Sequence, residues 1–294
     1  MRSKTISDLG RNYLRPLPHP AHAPHPVEFE WLVPAEGFHW TGPRNDRKLV
    51  PQEAVGPIAR YHYQPLREYT GLFRSFAALE ADEQRIREFA DEHGSLLRED
   101  DDESLDLWRN EISAMSFTVS LWDAFRAGDS AGKRRLLGAR TEPIAGITPD
   151  MLPGYAEMPL PLIVQIIDRS KRGRIETKMV LSPNLQAAHH AINPLNLLGA
   201  MWCQLAETVA QRKSFKICAQ CGKPFEISRD PKTGKRPEAR FDKDSCRVNC
   251  YRARVAQARR LHEEGTDLKE IARQLNTNSA QVRKWTKGIR GAAG

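Results

Sequence analysis

The chain has 294 residues, of which 45 are Lys or Arg, 37 are Asp or Glu and 40% are hydrophobic, so there is room for two domains or one large domain with an appendage. No stretch approaches the roughly 20 apolar residues of a membrane span, and Met1–Gly10 lacks the apolar core of a secretory signal, so a cytoplasmic protein is expected. The formal charge of +8 is uneven: residues 1–214 carry 26 basic and 28 acidic side chains, whereas residues 215–294 carry 19 and 9, which concentrates an attraction for polyanions in the last 80 residues.

Residues 1–26 read as a flexible Pro/His-rich arm, because Pro18, Pro20, Pro24 and Pro26 forbid a helix and nothing nearby offers a core. The histidines at three-residue spacing, His19, His22 and His25, could bind a metal weakly, but a solvated linker is the better reading. Residues 27–214 read as a mainly helical α+β domain with a small β-hairpin or sheet. Val27–Val33 resembles a short strand. Ile58–Leu79 and Asp82–His93 carry helical spacing, with Leu72, Phe73, Phe76 and Leu79 recurring every three or four residues and Gly94 stopping the second helix. The acidic run from Glu99 to Glu103 reads as a solvated loop. After it, Leu105, Trp108, Ile112, Met115, Val119, Trp122 and Phe125 make one apolar stripe along a helix. Such a stripe could be a homodimer seam, although packing within its own domain is favoured.

Prolines and glycines between Thr141 and Pro161 mark an irregular crossing. Leu160–Ile167 and Ile175–Leu181, rich in Ile and Val, flank Asp168–Arg174 and read as a hairpin with a basic tip, most simply a soluble loop. Pro194 to Arg212 reads as a helix burying Leu197, Leu198, Met201, Trp202, Leu205 and Val209, and Ser214–Ile217 carries it directly into the next module.

That module, residues 215–254, contains Cys218, Cys221, Cys246 and Cys250 in the spacing C-x2-C-x24-C-x3-C. Two close thiol pairs suit one tetrahedral Zn2+ with no open position, hence a structural ion. Phe215–Phe225 resembles a zinc knuckle, with Gly222 at its turn, and Arg240–Arg254 resembles the second half of a treble-clef finger, in which the last ligand opens a helix. Together they resemble the C-terminal fingers of bacterial proteins of the CGNR and ABATE-like kind, which implies a mainly helical N-terminal domain before the finger. Fingers of this type often place a cysteine directly after the Arg-Phe pair, where this chain has Asp242. The fourth ligand is therefore Cys250, on one helix face with Cys246, or the carboxylate of Asp242. Cys250 is favoured because thiolate is the softer donor.

Residues 255–290 have the pattern of a helix-turn-helix: Val255–Glu264, Asp267–Leu275 and Ser279–Lys287, with Leu268, Ile271, Leu275, Val282 and Trp285 facing inward. Asn276 suits a positive φ in the tight turn, and Asn278 suits an N-cap. Ser279, Gln281, Arg283, Lys284 and Lys287 are left outward on the third helix as candidate DNA contacts, with Arg252, Arg254, Arg259 and Arg260 on the preceding helix as phosphate clamps.

These features suit a zinc-containing regulator whose basic end binds duplex DNA while residues 27–214 sense or interact. RNA or a protein partner is the alternative target, since treble-clef fingers serve all three. His189, His190, Cys203 and Glu207 are the candidates for an N-terminal enzyme, but no nucleophile elbow, phosphate loop or acidic catalytic set accompanies them, so a non-enzyme is expected.

Overall fold

The computed structural model describes residues 29–44, 46–52, 60–97, 103–181, 188–228 and 235–287. The Pro/His-rich arm, residues 99–102 of the acidic run and much of the loop before Lys235 lie outside them. The architecture among the described residues is α+β, with a large helical body, four two-stranded antiparallel sheets and a small three-helix unit at the end. Among the described residues, no helix is long and apolar enough to cross a membrane.

Two ribbons open the chain. β1 (Trp31–Pro34) pairs with β4 (Arg60–Tyr63), and β2 (Phe38–Thr41) with β3 (Lys48–Pro51). The predicted helix Ile58–Leu79 is thus replaced by strand β4 and two short helices, α1 (Pro65–Glu68) and α2 (Leu72–Ala77). The break at Gly71 has a packing reason: a Cβ there would lie 2.8 Å from the carbonyl oxygen of Pro224. α3 (Glu83–His93) is capped by Asp82, whose side chain accepts from the N–H groups of Gln84 and Arg85, and it ends at Gly94, with φ 91°.

α4 (Leu105–Arg126) is the spine of the body and packs against α2, α5 (Ser130–Ala139) and α6 (Pro159–Lys171). The predicted stripe is buried from Leu105 to Trp122, and Phe125 is partly covered. Phe117, Thr118 and Leu121 are buried as well, because neighbours cover more than one side of this helix. Glu103 departs from the solvated-loop reading. Its carboxylate accepts from Trp108 Nε1 at 3.0 Å and from the Leu97 N–H, which makes burial tolerable.

The largest correction concerns Leu160–Ile167, which lies within α6 and is not a strand. Leu162, Ile163, Ile166, Ile167 and Ser170 are buried, a spacing of one, three and four that fits a helix. The two prolines sit in its first turn, where no intrahelical N–H is lost. β5 (Ile175–Leu181) is a strand as expected, but its partner is β6 (Ala188–Pro194). α7 (Leu197–Gln211) then closes the body, with Trp202 and Leu205 fully buried.

The last part comprises β7 (Ser214–Ile217), β8 (Pro224–Ile227) and helices α8 (Asp244–Glu263), α9 (Leu268–Gln274) and α10 (Ser279–Thr286). Two cores result. One runs from Val33 to Leu205, with Phe215 packed on it, and the other joins Ala258, Ile271, Ala272, Leu275, Val282 and Trp285.

Candidate metal centre and basic helical unit

β7 and β8 pair from Ser214↔Ile227 to Ile217↔Pro224, and the turn between them carries Cys218 and Cys221. The turn is closed by Cys218 N–H to Lys223 O at 2.9 Å and Gly222 N–H to Cys218 O at 3.0 Å. Gly222 has φ 73° with nothing within 4 Å of an added Cβ, so glycine is needed there for backbone conformation and not for space. The Ala219 N–H donates to Arg240 O at 2.9 Å, which ties the knuckle to the segment leading into α8.

Along that segment the chain brings Asp242 and Cys246 to the knuckle. One ligand atom from each of Cys218, Cys221, Asp242 and Cys246 lies within 4.8 Å of the others, so these four side chains could hold a metal ion. Among the described residues they are the one such group of His, Cys, Asp or Glu. Cys250, the favoured fourth ligand, is not in it, and Asp242, the alternative, is. Four residues after Cys246, Cys250 stands about 6 Å further along the axis of α8.

The electrostatics fit a cation. Asp242 Oδ1 is shielded from water and has no hydrogen-bond partner, an acceptor that an ion would satisfy. Burial raises the Cys218 thiol, but the backbone N–H groups of Cys221, Asp242 and Gln220 outweigh it, and the net shift is downward. Burial raises Cys221. Cys246 is pushed up to about 12, first by the Asp242 carboxylate, then by burial and the neighbouring cysteines. Burial opposes the ionisation of Asp242, yet hydrogen bonds from the Cys246 and Cys218 thiols hold it below its usual range. Three sulfurs and a carboxylate cannot all ionise at this distance without a multivalent cation among them.

The centre is seated on the helical body. Lys223 pairs with Glu92 and lies 4.8 Å from the Tyr69 ring centroid, and Lys243 lies 5.4 Å from the same ring. Phe215 meets Phe73 edge to face at 5.5 Å, with the Arg74 guanidinium 5.0 Å over the Phe215 ring. Lys213 bridges Glu207 and Glu226, each at 3.2 Å. Nothing in the cysteine spacing announces these contacts; the basic residues beside the ligands and the aromatic residues of α2 were the only signal.

In the three-helix unit Asn276 has φ 48° and Asn278 caps α10 by accepting from the Gln281 N–H at 2.8 Å. Arg283, Lys284 and Lys287 are exposed, and Ser279 and Gln281 are half-buried. Two arginines expected to clamp phosphates are engaged inside the unit. Arg254 donates to Leu275 O at 2.6 Å and lies 5.4 Å from the Trp285 ring centroid, and Arg259 donates to Trp285 O at 2.9 Å. They satisfy carbonyls at the ends of α9 and α10 that the helices themselves leave open. Arg252 and Arg260 remain exposed.

Of the enzyme candidates, Cys203 and Glu207 lie near one another on α7. Burial raises the Cys203 thiol to about 11, which keeps it protonated, and Glu207 faces Lys213 and Gln211. The side chains of His189 and His190 lie outside the described residues. Compared with family models, curated proteins and solved structures, the chain matches none.

Proposed function

We propose that this chain is a zinc-containing DNA-binding protein, a transcriptional regulator, in which Cys218, Cys221, Cys246 and Asp242 hold one structural Zn2+ and the unit α8–α10 is a helix-turn-helix that binds duplex DNA. The observation that carries the reading is a basic helix, α10, capped by Asn278 and presenting Arg283, Lys284 and Lys287 to solvent in the part of the chain with 19 basic and 9 acidic residues. Thiolates favour zinc over harder ions, and one carboxylate is a normal companion ligand. With every donor supplied by the protein, the ion would crosslink the knuckle to the start of α8 and leave no position for substrate. The first turn of α10 would meet base edges through Ser279 and Gln281, with Arg283, Lys284, Lys287, Arg252 and Arg260 on phosphates. The helical body would sense or interact.

Fluorescence anisotropy with the full, zinc-loaded chain tests this. Duplex binding should weaken steeply between 50 and 200 mM salt, and Arg283→Ala with Lys284→Ala should flatten the salt slope by roughly one unit per lost phosphate contact. Absence of duplex binding at low salt, or a preference for single-stranded RNA in competition, would overturn the reading.

A further inference from the structure

A cleft of about 520 Å³ lies in the helical body, remote in sequence from the cysteine cluster, between α4, the end of α6 and the crossing that follows α5. Its walls hold four arginines, Arg140, Arg169, Arg172 and Arg174, and two carboxylates, Glu111 and Glu142, an excess of two positive charges. The volume falls within the range of small-molecule sites.

The arginines are held in place mostly by neutral acceptors. Arg140 donates to Ser113 Oγ at 2.8 Å and to the Glu142 carbonyl oxygen at 2.9 Å, and its burial holds the guanidinium below its usual range against the opposing charge of Glu142. Arg169 donates to Ala145 O at 3.2 Å, where the chain makes a tight turn with φ 47° at Ala145 and 72° at Gly146. Only Arg174 is fully matched, by Glu111 at 2.6 Å, while the Arg172 guanidinium has no ion pair or hydrogen bond among the described residues. Gly199 lets the backbone of Arg174 approach α7, since a Cβ there would lie 2.2 Å from Arg174 O, and this fixes the turn that carries Arg172 and Arg174.

We propose that this cleft binds a small organic dianion, a phosphate monoester or a dicarboxylate, between the guanidinium groups of Arg140, Arg169 and Arg172. A phosphate monoester carries close to two negative charges at neutral pH, and a dicarboxylate carries two; planar guanidinium forks suit either. The site stands apart from the nucleic-acid reading and does not depend on it.

Isothermal titration of the full, metal-loaded chain at low ionic strength, with inorganic phosphate, a sugar phosphate and succinate as probes, tests it. Saturable one-to-one binding of at least one probe is expected, and the probe that binds tells phosphate from carboxylate chemistry. Arg172→Ala should weaken that binding roughly tenfold or more. Glu142→Gln should tighten it, because it removes a repelling charge and keeps the backbone carbonyl that holds Arg140. Misfolding cannot produce both signs, and thermal melts of each variant check the fold. Lack of saturable binding by any probe overturns the proposal. Binding that neither variant alters also overturns it, since the anion then sits on the basic C-terminal unit.

Discussion

At the scale of single residues, Asp242 is, among the described residues, the one carboxylate within reach of the three clustered cysteines. Its carboxylate sits among three sulfurs with one oxygen lacking any partner, while Cys250 lies a helical turn beyond. Replacing Asp242 by Ala should therefore lower metal affinity by at least the tenfold that follows loss of an outer-shell partner. Cys250→Ala should leave the metal-to-protein ratio and the affinity unchanged. Elemental analysis and chelator competition measure both, and a Cys250 variant that loses metal while the Asp242 variant keeps it would reverse the assignment. Cys218 and Cys221 were legible because C-x2-C spacing is a local property of a turn, and Cys246 through the resemblance of Arg240–Arg254 to the second half of a treble-clef finger. The choice between Asp242 and Cys250 was not, because it depends on the path of residues 240–246, which is set by a hydrogen bond from Ala219 to Arg240.

Among secondary-structure elements, legibility followed the strength of the local signal. α3, α4 and α7 carry strong caps or long apolar periods, and their sequences mark them within a few residues. α6 was obscured by Ile and Val, which favour strands, and by two prolines, which are unfavourable inside a helix, until their spacing is weighed against burial on α4 and α7. β1 and β4 are four residues each and pair across some thirty positions, so neither strand announces its partner. The unit α8–α10 lies between these cases: α9, α10 and the Asn276 turn are readable, but α8 runs unbroken from Asp244 to Glu263 where the sequence suggested a helix only from Val255, and the engagement of Arg254 and Arg259 with the unit's carbonyls is not readable. Trp285 is the element that joins the three helices, 5% exposed, with its indole N–H donating to Tyr251 Oη at 3.1 Å and its own carbonyl held by Arg259. Trp285→Ala should cost about 3–5 kcal/mol, comparable to what so small a core can supply. Hydrogen exchange should then show loss of protection from α9 and α10 while α4 and α7 keep theirs. Equal loss throughout the chain would mean that the two cores fold as one.

For the whole molecule, the seam between the helical body and the cysteine knuckle carries a pH-sensitive group. His93, at the end of α3, is 4% exposed, and its ring packs on Phe89 at 4.6 Å and Tyr69 at 5.2 Å. The charged groups facing it are Glu92, with Oε2 3.8 Å from Nε2, and Lys223 from the knuckle; Tyr63 donates to its carbonyl oxygen. Burial lowers its pKa from 6.5 to about 4, opposed by Glu92 and reinforced by Lys223. The folded chain thus holds the imidazole neutral, whereas the unfolded chain protonates it below pH 6.5. The associated stability is fully present above that pH and is lost as pH falls toward 4, by about 2–3 kcal/mol at most between pH 7 and 4.5. His93→Phe keeps a ring in the site and removes the titration. Urea denaturation across this range should show the wild type losing more stability than the variant by that amount. Protonation of cysteines and release of metal at low pH act on both proteins alike, so the difference isolates the imidazole. Parallel losses in the two proteins would show that His93 does not stay neutral in the fold.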